Sequence, residues 1–204
     1  MKKVNPNRIP GSWEEADRQR SKGHWDGFQD AVNIVIFALM DNYGRYEKDV
    51  YTLIYDIEHD LHNEVYQGRF YVPDYERYLE KNYQLRLKTF PDGIEIPQNR
   101  PCTKGDEKHA YRSGYREGLR LARALVLKSF IYHDVSADDL RDAYSKIRYK
   151  YESVELGYFT LEDVKNVIDD EYGLIFCMHE KDPPERCKRE YYTEWEAERN
   201  EHKA

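Results

Sequence analysis

Four arginines, Arg112, Arg116, Arg120 and Arg123, recur at three- and four-residue intervals. Residues so spaced share one face of a helix, and the pattern predicts a basic stripe. Guanidinium rows suit carboxylates and phosphates because each planar fork makes two parallel hydrogen bonds. The stripe therefore offers recognition, of an acidic protein segment or of a nucleic-acid backbone, or else pairing with the chain's own acids, such as Glu117 or those of the C-terminal tail. A second polar cluster, Glu58 to Glu64 (EHDLHNE), sets His59 and His62 three apart and Glu58 and His62 four apart. Two or three groups able to hold a metal, with Asp60 beside them, fall on one helix face. Cys177, His179 and Cys187, with Cys102 or His109, are also of ligand type, but no CxxC knuckle organises them. The chain has no Walker loop, GxSxG elbow, GxGxxG fingerprint or HExxH pair, which weighs against the commonest enzyme classes, and no cofactor is expected.

The His59-Asp60 doublet resembles that of the metal-dependent HD phosphohydrolases, an all-helical family. The resemblance implies a further histidine upstream and an aspartate downstream, for which His24 and Asp138 are available. Gly68 to Asp74 (GRFYVPD) and Gly157 to Asp163 (GYFTLED) are similar to the second half of an EF-hand loop, where a glycine turns the chain, an apolar residue follows two later and an acid opens the exit helix. The first half of that loop departs from the pattern. Asn63, Val65 and Gln67 in one segment, and Glu152, Val154 and Leu156 in the other, stand where oxygen ligands belong. The likeness implies paired helix-loop-helix geometry without calcium.

Those two segments belong to a longer self-similarity. Gly23, Gly27 and Ala31 align with Gly114, Gly118 and Ala122 at an offset of 91; Gly68, Phe70, Asp74, Tyr83 and Leu85 align with Gly157, Phe159, Asp163, Tyr172 and Leu174 at an offset of 89. A repeated unit is usually one supersecondary module that buries its apolar face against its neighbour. Glycine inside a helix costs about 1 kcal/mol relative to alanine, so two per helix at the same place need a packing reason. The expectation is that the two glycine-bearing helices cross there about a pseudo-twofold axis, or that a partner backbone packs on them. The Arg stripe is not shared: its equivalents in the first copy are Ser21, Trp25, Gln29 and Val32, giving one greasy and one basic side.

Each copy reads as three helices. Ser12-Trp13-Glu14-Glu15 is a capping-box pattern opening a helix that runs to about Asn42, and 32–40 (VNIVIFALM) carries no charge on any face, as a surrounded helix requires. Its counterpart is Asp106 to Tyr132, with Leu119, Leu121, Leu125, Val126, Leu127, Phe130 and Ile131 as the buried set. Val50, Ile54, Ile57 and Leu61, and then Leu140, Tyr144, Ile147 and Tyr151 after the cap at Ser136, mark amphipathic second helices. Pro73 to Tyr83 and Leu161 to Tyr172, the latter capped by Thr160, are the third. The fold expected is all-α, two duplicated three-helix units at 12–90 and 106–177 in a pseudo-twofold bundle. A proline-bearing linker spans 91–105, and 178–204 is a charged, helical tail with Cys187, Tyr191 and Trp195 on one stripe. Alternation at Leu85–Leu87 and at 174–177 leaves room for short β bridges.

Nineteen tyrosines supply much of the apolar area in a chain that is 40% apolar and 35% charged, with a mean hydropathy of −0.97. Such rings suit small cores and interfaces because one end can stay wet. The net charge of −7 argues against blanket affinity for nucleic acid. No apolar run approaches a membrane span, and three cysteines make a poor disulfide framework, so the expected setting is the cytoplasm. The leading functional expectation is a non-enzymatic protein-binding module, an inhibitor or adaptor of the kind that phages and mobile elements carry against host complexes. A nucleic-acid or phosphate binder using the Arg stripe is the second expectation, and an HD-like phosphohydrolase the third.

Overall fold

The computed structural model describes residues 12–43, 47–87, 105–133 and 135–172. They form six α-helices: α1 (Ser12–Tyr43), α2 (Glu47–Asp60), α3 (Val72–Tyr83), α4 (Gly105–Tyr132), α5 (Ala137–Glu155) and α6 (Leu161–Tyr172). A π-turn, Leu61–Val65, extends α2. The all-α expectation holds, and no strand occurs among the described residues. At Leu85–Leu87 the expected bridge is absent. After Gln84 caps α3 in the left-handed region (φ 58°), Leu85 and Leu87 turn into the core, and the Arg86 carbonyl accepts from the Tyr144 hydroxyl at 3.2 Å instead of from a strand. The 174–177 bridge, nearly all of the linker, the three cysteines, His179 and the tail lie outside the described residues, as does the Ser12 side chain.

Local signals placed the helices well. Ser136 accepts from the Asp139 amide at 3.2 Å. Thr160 and Asp163 complete a reciprocal box: the Asp163 amide donates to the Thr160 hydroxyl at 3.0 Å, and the Thr160 amide to the Asp163 carboxylate at 2.8 Å, satisfying amides a helix start leaves open. Those bonds hold the exposed Asp163 carboxyl below its usual pKa. Gly68 and Gly157 turn the chain with φ of 66° and 77°, a region a side chain rarely enters.

The two long helices, α1 and α4, run side by side and share the most extensive contact in the molecule. A Cβ on Gly23 would stand 2.1 Å from the Tyr111 carbonyl oxygen, and one on Gly27 2.1 Å from that of Tyr115; Gly114 meets the Arg20 carbonyl at 1.9 Å and Gly118 that of His24 at 1.8 Å. All four obstructions are backbone, so the helices approach as closely as they do only because these positions lack side chains. Contacts advance in the same direction along both helices, so α1 and α4 are parallel. Ala31 and Ala122, one step further along the same faces, are fully buried.

Around this pair the shorter helices cross over. α2 and α3, from the first half of the chain, rest on α4; α5 and α6, from the second half, rest on α1, with α5 also touching α4 and α3. The expected apolar sets fill the space between: Val50, Ile54, Ile57 and Leu61, and Leu140, Tyr144, Ile147 and Tyr151, are all buried, as are Leu119 to Leu127 of the predicted α4 set. Phe130 and Ile131, at the end of that helix, are only half-buried.

Gly118→Ala and Gly27→Ala are each expected to destabilise by about 1–3 kcal/mol or more, because the obstruction is backbone that cannot rotate away. In an unobstructed helix the same change would stabilise by about 1 kcal/mol. Urea unfolding followed by circular dichroism gives the sign, and unchanged or raised stability would overturn the close-approach argument. Because α2 and α3 pack on the other half's long helix, residues 12–90 expressed alone are expected to lack a cooperative unfolding transition; a sharp one would show that the halves are separable.

Candidate functional site

The arginine stripe divides along α4 according to what faces it. Arg123, 8% exposed, lies in the core, its Nε donating to the Leu119 carbonyl at 3.2 Å. Arg120 donates through Nε and Nη2 to the two carboxylate oxygens of Glu76 on α3; Glu76 itself is buried. Arg112 is half-buried and Arg116 exposed, and neither has an ion pair among the described residues. Glu117, an expected partner of the stripe, reaches Arg20 of α1 instead at 2.7 Å. The stripe lines an open groove of about 470 Å³, with His109 and Ser113 on its wall. Two guanidinium groups four residues apart, without an ion pair among the described residues, therefore face a space able to admit an anionic group.

Trp25 of α1, which the sequence alignment pairs with Arg116, packs among rings. It is half-buried, edge-on to Phe28 and to the half-exposed Tyr66, both at 5.9 Å between ring centres. Its neighbour Val32 is fully buried. The greasy side is thus largely covered by the chain's own rings.

The His59-Asp60-His62 cluster is brought to α4 rather than to a metal-like centre. Lys128 of α4 donates to Asp60 at 2.9 Å and to Glu64 at 2.8 Å, one acid just before the π-turn and one within it. Burial opposes the Lys128 charge, but hydrogen bonds to Glu64 and Asp60 outweigh it and raise the lysine pKa above its ordinary value. His59 stacks on Tyr55, with 6.3 Å between ring centres, and His62 meets Tyr66 edge-on at 5.5 Å. No group of three or more His, Cys, Asp or Glu side chains among the described residues is placed to hold a metal ion. The glycines and alanines at 23, 27, 31, 114, 118 and 122 are buried, the glycines against the backbone of the facing long helix.

Two polar clusters went unanticipated. Asp30 is completely buried in the apolar half of α1; it accepts from the Tyr115 hydroxyl at 2.8 Å and meets Lys165 of α6 at 2.8 Å. Tyr151, buried beside Arg123 and Asp30, has its phenol pKa raised chiefly by burial. A lone aspartate just before 32–40 was the available signal for this network. The second cluster joins Asp56, Ser129 and His133. These are the residue types of a hydrolase triad, but one carboxylate oxygen of Asp56 takes both the Ser129 hydroxyl, at 2.7 Å, and the His133 ring nitrogen, at 2.7 Å. A nucleophilic serine must hand its proton to the imidazole, whereas Ser129 donates to the carboxylate. The arrangement fastens α2 to the end of α4.

Lys165→Met is expected to destabilise by about 1–3 kcal/mol, since it strands a buried carboxylate; the lysine's partial exposure keeps the loss below that of a fully enclosed pair. Adding Asp30→Leu should restore part of the loss. Chemical denaturation of the single and double variants checks this, and strictly additive losses would show that the pair is not coupled.

No helix among the described residues is long and apolar enough to cross a membrane. No protein-family model matches the chain, and comparison with curated proteins and with solved structures returned no match.

Proposed function

We propose that the protein is a non-enzymatic protein-binding module whose α4 groove takes an acidic segment of a partner protein, which it occludes or links to something else. The observation that carries this reading is the pair Arg112 and Arg116, without an ion pair among the described residues, on the wall of a groove whose other arginines are engaged. Charge-assisted hydrogen bonds to guanidinium are among the stronger polar contacts a surface can offer. Complementary charge of this kind sets the choice of partner and the rate of encounter more than raw affinity.

A phosphate or nucleic-acid ligand would use the same two guanidinium groups. The net charge of −7 and the carboxylates of Glu76 and Glu117 beside the stripe make a long polyanion the poorer fit. The HD-like reading draws no support from the site, since Lys128 occupies the carboxylate of Asp60.

We also propose that the chain is internally duplicated and that its halves pack about a pseudo-twofold axis. The reciprocal glycine contacts support this: moving each member by 91 positions turns the Gly23–Tyr111 approach into Gly114–Arg20, and Gly27–Tyr115 into Gly118–His24. The same shift turns the Tyr111–Asp26 hydrogen bond into the Arg20–Glu117 pair. Where the halves differ, as at the Arg stripe, the module has its binding surface.

A fluorescein-labelled glutamate-rich peptide is expected to bind the protein in anisotropy titrations. Arg112→Gln with Arg116→Gln should weaken it by about tenfold or more, the loss expected for removing hydrogen bonds to charged groups. Equal binding by the double variant would remove this reading. Preference for an oligothymidine of the same length at about 0.15 M salt, where surface charges are screened beyond about 8 Å, would replace it with the nucleic-acid one.

A further inference from the structure

The Arg120–Glu76 pair stands where two grooves meet. On one side is the space of about 470 Å³ walled by Arg112 and Arg116; on the other is one of about 700 Å³ that Arg120 also lines, together with Tyr71, Pro73 and Leu87. The second groove has a different chemistry. Tyr71 is 65% exposed, Pro73 sits in the first turn of α3, and the basic groups on its rim are matched by acids, Arg86 with Glu80 at 2.7 Å and Arg77 with Asp74. One groove thus presents positive charge with no ion pair among the described residues, and the next presents ring and aliphatic surface inside a compensated rim.

We infer that the two grooves form a single track for an extended peptide segment of a partner protein, acidic where it passes Arg112 and Arg116 and carrying a bulky apolar or aromatic side chain that rests against Tyr71 and Pro73. The inference rests on the acidic-partner reading above and adds the second half of the ligand. Arg112 and Arg120 are eight residues apart on α4, about 12 Å of helix, which about four residues of extended chain span. Charge complementarity fixes the occupant. The acids are needed at the α4 end, whereas the charges at the junction and in the second groove are paired, Arg120 with Glu76 and Arg86 with Glu80, and offer further negative charge no net attraction. A polyanion of uniform charge fits only half the track; a peptide whose charge stops at Arg120 fits all of it. Aromatic pairs prefer offset or edge-on contact, and an exposed tyrosine rim can give this at small entropic cost.

The probes are three fluorescein-labelled peptides: Glu-Glu-Glu-Glu-Gly-Gly-Ala, the same with tryptophan in place of alanine, and the reverse order Trp-Gly-Gly-Glu-Glu-Glu-Glu. At least one tryptophan peptide is expected to bind wild-type protein about fivefold tighter than the alanine peptide. Tyr71→Ser should abolish that gain while leaving the alanine peptide's affinity unchanged. The substitution keeps the fold, because Tyr71 is the N-cap of α3, makes no capping hydrogen bond, and serine is a favoured N-cap. No gain from tryptophan in either order, or a gain that survives Tyr71→Ser, overturns the track while leaving the acidic groove intact. Should Arg112→Gln with Arg116→Gln leave the alanine peptide's affinity untouched, or should wild type bind none of the three, the acidic-partner reading falls and the track with it.

Discussion

Everything in this molecule depends on how closely the backbones of α1 and α4 approach each other. Four glycines face four carbonyl groups with no room for a methyl, and the helices lie parallel and in register as a result. Each of those glycines lowers the intrinsic stability of its own helix by about 1 kcal/mol. The loss is offset by dispersion contacts along a long, dense seam, since interiors packed at crystal-like density gain from every atom brought into contact. A parallel pair cannot be joined by a short turn, and α2, the π-turn and α3 lie between the two long helices in the chain.

That return path decides how the shorter helices are held. α2 and α3 lie on α4 while α6 lies on α1, and each such docking carries a charged fastening: Lys128 to Asp60 and Glu64, Arg120 to Glu76, Asp56 to Ser129 and His133, Lys165 to Asp30. Ion pairs contribute little on open surface, but a carboxylate as enclosed as Asp30 or Glu76 cannot lose its partner without a large desolvation penalty. The fastenings thus specify which helix rests where, and burial of Leu61, Leu79, Leu140 and Ile168 supplies the bulk of the driving force.

Local chemistry was readable from the residues, and cross-chain chemistry was not. Helix ends followed from Ser136, Thr160 and Pro73, turns from Gly68 and Gly157, and buried faces from the spacing of Val50, Ile54 and Ile57, because each signal acts within a few residues of itself. The tight seam between α1 and α4 was legible for the same reason: two glycines on one face announce a close neighbour, whatever that neighbour is. Which short helix lies on which long one was not legible, since amphipathic faces of similar width are interchangeable until three-dimensional shape separates them. The Arg stripe shows the limit most directly. Its spacing put four guanidinium groups on one face, but only the fold decides that Arg123 is enclosed, that Arg120 is held by Glu76 and that Arg112 and Arg116 remain toward solvent.

This separation bears on where a binding surface can arise. The inward faces of α1 and α4 are constrained at Gly23, Gly27, Gly114 and Gly118 by backbone contact that leaves no room for a side chain. On α1 the position of Trp25 is covered by Phe28 and Tyr66, while Asp17, Arg18, Ser21 and Lys22 before it are exposed. On α4 the open face lies before Arg120, at Ser113, Arg116 and Glu117. There a change of side chain meets neither the seam nor the core, and affinity for a partner can be tuned through charge and ring contacts without disturbing the fold that displays them.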